Sequence, residues 1–367
     1  MDKQERHEYR VTKIQTFEES AAAYHKSNIF GLPFSVEGSE VIIIPIPWEV
    51  TVSFRPGTAQ GPEAIYEASC QVDLFDPQFG QDAWKYGFAM EHINENIKAD
   101  GKRLRQIVLH YMHHKEKQRP SDNFLFTAMQ QEVNTGCILL NNWLKEKSVA
   151  YLEQGKIVGV VGGDHSVPLG LMQALATHYG SYGILHIDAH YDHRDAFEGF
   201  QFSHASIMRN ASRIGEIEKI VHVGIRDYCK EEADFVAVSP QRFQTFTDWD
   251  IACNQFTDWY VSWFHQCRNM IASLPKLVYI SFDIDGLDPS LCPHTGTPVP
   301  GGLHFQQACF LLWQIVRSGR RIIGFDLCEV APANYDWSSD WDANVGARIL
   351  YRLCSLAATS SFGTYRS

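Results

Sequence analysis

Short runs of mostly β-branched, apolar residues recur along the chain: Val41–Ile44, Ile157–Val161, Ile184–Ile187, Ile220–Val223, Leu277–Phe282 and Ile322–Leu327. Such runs predict strands that are apolar on both faces. Between several of them lie segments with apolar residues at helical spacing: Glu132–Leu144, Pro168–Tyr179, Trp259–Ala272, Phe305–Val316 and Ala343–Leu356. Strands covered on both sides and alternating with helices predict an α/β fold built on a mainly parallel sheet. Residues 90 to about 130 break this rhythm. Lys98–Arg119 is strongly polar, with Lys102, Arg103, Arg105, Lys115 and Lys117 beside His110, His113 and His114. That composition predicts a solvated helix or an oligomer contact, inserted into a single domain spanning residues 1–367. A second metal site there is disfavoured, because the adjacent His113 and His114 project differently from a helix.

Polar motifs follow the carboxyl ends of these strands, where open parallel sheets place their ligand sites. After Ile184–Ile187 comes Asp188-Ala189-His190-Tyr191-Asp192, and after Leu277–Phe282 comes Asp283-Ile284-Asp285-Gly286-Leu287-Asp288-Pro289. Alternate residues of an extended chain point the same way, so each segment aims several donors at one spot. Gly162-Gly163-Asp164-His165-Ser166 follows Ile157–Val161 with a turn that its glycines permit. The combined set is His165, Asp188, His190, Asp192, Asp283 and Asp285. Four carboxylates enclosed together need neutralising charge, and two divalent cations supply it. The donors are nitrogen and oxygen without sulfur, which favours manganese, with nickel, cobalt or iron as substitutes.

Thirty-two basic residues against 43 acidic ones give a formal charge of −11. This argues against nucleic acid as a partner, which calls for a basic footprint. It serves solubility, and mildly suits a cationic substrate. No apolar stretch approaches the roughly 20 residues of a membrane span. The charged start, Met1-Asp2-Lys3-Gln4-Glu5-Arg6, lacks the apolar core of a secretory signal. Nine scattered cysteines with no C-x-x-C fit reduced thiols in a cytoplasmic protein.

From about Val41 to Leu356 the chain resembles the ureohydrolases: arginase, agmatinase, formimidoylglutamase and guanidino-acid hydrolases. The resemblance rests on Gly163-Asp164-His165-Ser166, Asp188–Asp192 and Ser281–Pro289, with weaker matches at Phe54-Arg55-Pro56-Gly57, Gly296-Thr297-Pro298 and Asp326–Pro332. It implies a three-layer α/β/α fold of the arginase/deacetylase kind and assembly as a trimer or hexamer. It further implies that His165, Asp188, Asp192 and Asp283 hold one ion. His190, Asp188, Asp283 and Asp285 hold the other. In the same resemblance Asp192 steadies the attacking water, Glu329 pairs with the planar cation of a small guanidino substrate, and His204 passes a proton to the leaving amine. Ala205 stands where the family more often has glycine.

Phe202-Ser203-His204 resembles agmatinases more than arginases, which implies hydrolysis of agmatine to putrescine and urea. Asp195 or Glu198 is then the expected partner of a distal ammonium. Another guanidino compound (arginine, a guanidino acid or guanidine) or formimidoylglutamate is the alternative. A substrate with a carboxylate would call for Arg194, Arg209 or Arg226. A non-catalytic relative should have lost ligands, and a zinc deacylase of the related fold would need fewer; all six stand here.

Overall fold

The computed structural model describes residues 1–19, 28–77, 82–115, 123–256, 261–333 and 341–365. Eight strands are present among them: β1 (Val41–Ile46), β2 (Phe88–Met90), β3 (Ile157–Gly162), β4 (Tyr182–Ile187), β5 (Ile217–Ile225), β6 (Phe243–Thr247), β7 (Leu277–Asp283) and β8 (Arg321–Cys328). They form one sheet in the order β2-β1-β3-β8-β7-β4-β5-β6. Every neighbouring pair is parallel. The six predicted strands are all found. The two additional ones, β2 and β6, lie at the sheet's edges, where a strand is short or only half-buried and carries a weaker apolar signal.

The helices are α1 (Lys3–Thr16), α2 (Gly61–Ser69), α3 (Glu95–Lys115), α4 (Asn123–Leu152), α5 (Leu169–Tyr179), α6 (Ile207–Ala211), α7 (Lys230–Ala237), α8 (Asp248–Phe256), α9 (Trp263–Ala272), α10 (Phe305–Arg317) and α11 (Trp341–Phe362). Side chains of β7 show how the layers divide. Val278, Ile280 and Phe282 join a core with α2, α9, α10 and α11, while Tyr279 joins the opposite core with α3, α4, α5, α6 and α7. Period-two alternation in a strand buried on both faces thus produces three layers.

Two predicted elements differ in extent. The helix expected from Trp259 begins at Trp263 among the described residues, and Trp259 lies outside them. The helix expected over Glu132–Leu144 is one part of the 30-residue α4. Within the polar stretch, α3 is solvated on one side only. Leu104, Val108 and Tyr111 recur at helical spacing and are buried with Val133, Cys137, Leu140 and Leu144 of α4. The many lysines and arginines around this narrow stripe mask it in the sequence.

The sheet's chain order makes the site. From β3 the chain crosses to β4 and continues outward to β5 and β6. It then returns to insert β7 and β8 between β3 and β4. The direction of winding therefore reverses around four central strands, and their carboxyl ends border the crevice where such sheets bind ligands.

Candidate metal centre

Each of those central strands ends in a loop that carries polar side chains into the crevice. After β3, Gly163 N donates to Ile46 O at 2.9 Å, and Asp164 N donates to Trp48 O at 2.8 Å. A Cβ on Gly163 would lie 2.0 Å from the Trp48 carbonyl oxygen, so only glycine fits this close approach. His165 is thereby fixed above the sheet, and its own N–H donates to Glu329 Oε1 at 2.9 Å. After β4, Asp188 Oδ1 accepts from His190 N at 2.6 Å. After β7, Asp283 Oδ1 accepts from Asp285 N at 2.8 Å, and Asp285 Oδ1 accepts from Ala189 N at 3.1 Å. These bonds from backbone N–H groups leave the second oxygen of each carboxylate facing the crevice.

Those second oxygens converge. His165 Nδ1 lies 3.1 Å from Asp188 Oδ2, 3.3 Å from Asp192 Oδ2 and 3.2 Å from Asp283 Oδ2. Alongside, His190 Nδ1 lies 3.2 Å from Asp285 Oδ2 and 3.5 Å from Asp188 Oδ1. All six donors expected from the sequence are therefore together, in two adjoining groups that share Asp188. His186 also belongs by position, with Nε2 2.9 Å from Asp188 Oδ2.

Burial and crowding set the charges. Burial alone would lower the His165 pKa, but the carboxylates of Asp188, Asp192 and Asp283 lift it well above its ordinary value. His190 is pushed up to about 12, its burial outweighed by Asp285 and Asp188. Asp283 is raised well above the carboxylate range by burial and by the charges of Asp285 and Asp188. Asp192 rises to about 6 through burial and the charge of Asp188. The chain by itself thus balances the cluster with protons on histidine and carboxyl groups. Divalent cations would replace those protons, and the donor chemistry fits them: His165, His186, Asp188 and Asp192 offer nitrogen and oxygen atoms within 4.8 Å of one another, as do Asp188, His190 and Asp285.

Behind this set runs a layer of supporting contacts that sequence reasoning did not single out. His165 Nε2 bonds Ser281 Oγ at 2.9 Å and lies 3.5 Å from Asp326 Oδ1. The Tyr279 hydroxyl donates to Asp326 Oδ2 at 2.6 Å. Arg226 donates to Asp285 O at 2.7 Å and to the carbonyls of Gly224, Leu287 and Val299, holding the turn after β7. The backbone is forced as well. Asp192 (φ 55°) and Glu329 (φ 63°) adopt the left-handed region, a strain of about 1–3 kcal/mol each that clusters at functional sites.

A cleft of about 280 Å³ opens beside the cluster, lined by Ser53, His190, Asp192, Arg194, Phe197, His204, Ala205, Asp227, Tyr228, Cys229, Glu232 and Thr297. His204 is on its wall, as expected for a residue that meets substrate. Burial and the charges of His190 and His165 lower its pKa to about 4, so it is neutral at neutral pH. Glu329 is not on that wall. It lies behind His165, buried, with its pKa raised well above the carboxylate range by burial and the charge of Asp164.

The residues expected to meet a substrate tail are redistributed. Asp195 is paired with Arg209 and Arg213, and Glu198 with Lys115. Arg209 lies over the Phe235 ring at 3.7 Å and Arg226 is engaged with carbonyls; Arg194, 3.9 Å from Glu232 and 5.3 Å above the Phe197 ring, is the one of the three on the cleft wall. Asp227 on that wall is exposed and lies 4.0 Å from His190 Nε2. The polar helix pair frames the cleft: Arg105 Nη1 donates to Val52 O at 2.5 Å, next to Ser53, and Tyr111 donates to Glu198 O at 2.8 Å. His294, which stands near a motif, bonds Asp342 at 2.8 Å through Nδ1.

An all-parallel α/β sheet ending in a clustered histidine–aspartate donor set beside a small cleft defines a metal-dependent enzyme of the α/β class. The chain belongs to the arginase family, whose profile matches residues 39–355. It is a hydrolase of guanidino compounds, in a family that depends on paired metal ions. It is 29% identical to an N(1)-aminopropylagmatine ureohydrolase of Synechocystis sp. over 87% of this chain and 89% of that one. It is also 29% identical to an agmatinase of Bacillus anthracis, over 83% and 87% respectively. The crystal structure of a hypothetical agmatinase from Burkholderia thailandensis shares the fold, with a TM-score of 0.68 at 22% identity over 95% of this chain and 94% of that chain.

Proposed function

We propose that this chain is a binuclear-metal ureohydrolase of the cytosol that cleaves agmatine to putrescine and urea. The observation that carries the reading is the convergence of three carboxylate oxygens on His165 Nδ1 beside the His190–Asp285 pair. In this reading His165, Asp188, Asp192 and Asp283 hold one cation, and His190, Asp188, Asp283 and Asp285 hold the other. Bound there, two manganese ions offset the four carboxylates and make water nucleophilic near neutral pH. Asp192, fixed by its left-handed backbone, orients the attacking water toward the trigonal guanidinium carbon. His204, neutral at neutral pH, accepts a proton and delivers it to the departing amine. Glu329 is off the cleft wall, so in this reading its part is to anchor the His165 loop rather than to meet the guanidinium.

The exposed Asp227 carboxylate on the cleft wall suits the ammonium of agmatine or of an aminopropyl derivative. Arg194 favours a second reading. Its guanidinium is on the same wall, partly exposed, and would suit a guanidino acid. The matched test is agmatine against 4-guanidinobutanoate, which differ at the tail. Manganese-loaded protein should release urea from agmatine with the higher kcat/KM. Preference for the acid overturns the agmatine reading, and formamide from formimidoylglutamate overturns both. Free thiols at all nine cysteines support a reducing compartment, and no described helix is long and apolar enough to cross a membrane. Assembly as a trimer or hexamer belongs to the same proposal.

A further inference from the structure

From Asp188, three imidazoles follow one another into the core. His186 Nε2 lies 2.9 Å from Asp188 Oδ2. His186 Nδ1 lies 2.8 Å from His222 Nδ1, and His222 Nε2 lies 3.2 Å from His193 Nε2. The far atom, His193 Nδ1, is buried with no hydrogen-bond partner. All three rings are at most 2% exposed. Adjacent parallel strands create the series: His186 on β4 pairs in register with His222 on β5. His193 closes it from the loop after β4, its ring set about 5 Å from those of Phe235 and Phe243.

We propose that His186, His222 and His193 form a one-way hydrogen-bond chain in which every ring donates toward Asp188, fixing the carboxylate that both cation groups share. The direction follows from counting protons. A neutral imidazole carries one N–H, so each link needs one donor and one acceptor nitrogen. With Asp188 ionised, His186 donates from Nε2 and must accept at Nδ1. His222 then donates from Nδ1 and accepts at Nε2, and His193 donates from Nε2. The end left over is the lone pair on His193 Nδ1. The opposite direction strands a buried N–H on His193 and requires either a protonated Asp188 or a second proton on His186. Buried N–H groups without partners are rare and cost about 1–3 kcal/mol.

Since the chain ends in the core, it positions Asp188 and carries no proton to solvent. This role rests on the binuclear reading above, whereas the tautomers do not. A carboxylate held by such a donor keeps its orientation for coordination, and removing support of this kind costs about 10–100-fold in metal affinity or activity.

Nitrogen-15 spectra of histidine-labelled, metal-free protein read the tautomers directly. The expected result is protonation at Nε2 of His186 and His193 and at Nδ1 of His222. The reverse pattern, or a doubly protonated ring within the series, overturns the proposal. Calorimetric manganese titration tests the consequence. His222→Phe severs the chain and should weaken binding about 10–100-fold. His222→Asn, whose amide can still donate to His186, should restore most of it. Equal affinity in wild type and folded His222→Phe protein overturns the positioning role. Should His222→Phe fail to fold, His193→Phe, which leaves the His186–His222 link intact, is titrated instead and should bind with a several-fold loss; no loss overturns the role. Wild-type protein with the expected tautomers but no affinity for manganese would sink the binuclear reading and the positioning role with it, leaving only the hydrogen-bond direction.

Discussion

Replacing Tyr279 by Phe removes one hydroxyl from the support of the metal centre and changes little else. Tyr279 is fully buried on β7, and its hydroxyl donates to Asp326 Oδ2 at 2.6 Å. The other oxygen, Asp326 Oδ1, accepts from Phe282 N at 3.3 Å. In the variant Oδ2 is left buried without its donor. A hydrogen bond to a charged group contributes about 1.5–3 kcal/mol, and an abandoned buried acceptor costs a similar amount, so a loss of about 2–3 kcal/mol is expected. For 367 residues, unfolding entropy of about 2.1 cal/mol/K per residue amounts to roughly 0.8 kcal/mol/K. The melting temperature should therefore fall by about 3–4 °C. Asp326 also lies 3.5 Å from His165 Nε2, so a freed Asp326 can compete with Ser281 for that N–H and turn the ring. Manganese affinity should then weaken about tenfold or more. Calorimetry on metal-free protein gives the first quantity and manganese titration the second. A variant that melts with wild type and binds manganese equally would refute the argument that Asp326 needs this donor.

Other outcomes follow from the same geometry. Asp192, whose pKa is raised to about 6 by burial and by Asp188, must lose its proton to coordinate. Manganese affinity should accordingly rise with pH, by up to tenfold per unit per displaced proton, through about 6 as Asp192 is released and on above it while His190 and Asp283 still hold protons, as titrations at pH 5 and pH 7 would reveal. His204→Asn should lower kcat by about 10²–10⁴-fold with metal content unchanged, and an unaltered rate would remove His204 from proton transfer. Arg105→Ala frees the loop at Val50–Ser53 that borders the cleft, so KM should rise with metal affinity preserved. Steady-state kinetics beside a metal assay checks both parts.

The sequence makes the interior of this fold more legible than its rim. Strands apolar on both faces, such as Ile157–Val161 and Ile322–Leu327, announce a parallel sheet because nothing else buries them so completely. Helix α1 escapes such a reading because its buried residues are Arg6 and Arg10, which reach across to Glu40 rather than to an apolar core. The donor set is equally plain as motifs that follow strands, although the chain turns there instead of staying extended: Asp192 adopts φ 55° and Asp285 lies in a 3-10 turn over Ile284–Gly286. Its support is opaque. Tyr279 reads as an ordinary strand residue, and Ser281 and Asp326, although they open motif matches, show their supporting contacts only when β7 and β8 are placed side by side, with Ser281 opposite Asp326. Arg105 and Tyr111 sit in a polar helix whose function depends on loops about fifty and ninety residues away. The residues around a substrate tail are least legible, because neighbours in space decide whether Asp195, Glu198, Arg209 and Arg226 are free.

Electron paramagnetic resonance of protein dialysed to equilibrium with manganese, with metal counted on the same sample, tests the bimetallic centre most directly. If the proposed assignment holds, with Asp188 and Asp283 shared between two cations, two manganese ions bind per chain with a spin-coupled spectrum. One ion per chain at saturation, or two that remain magnetically independent, would contradict the account.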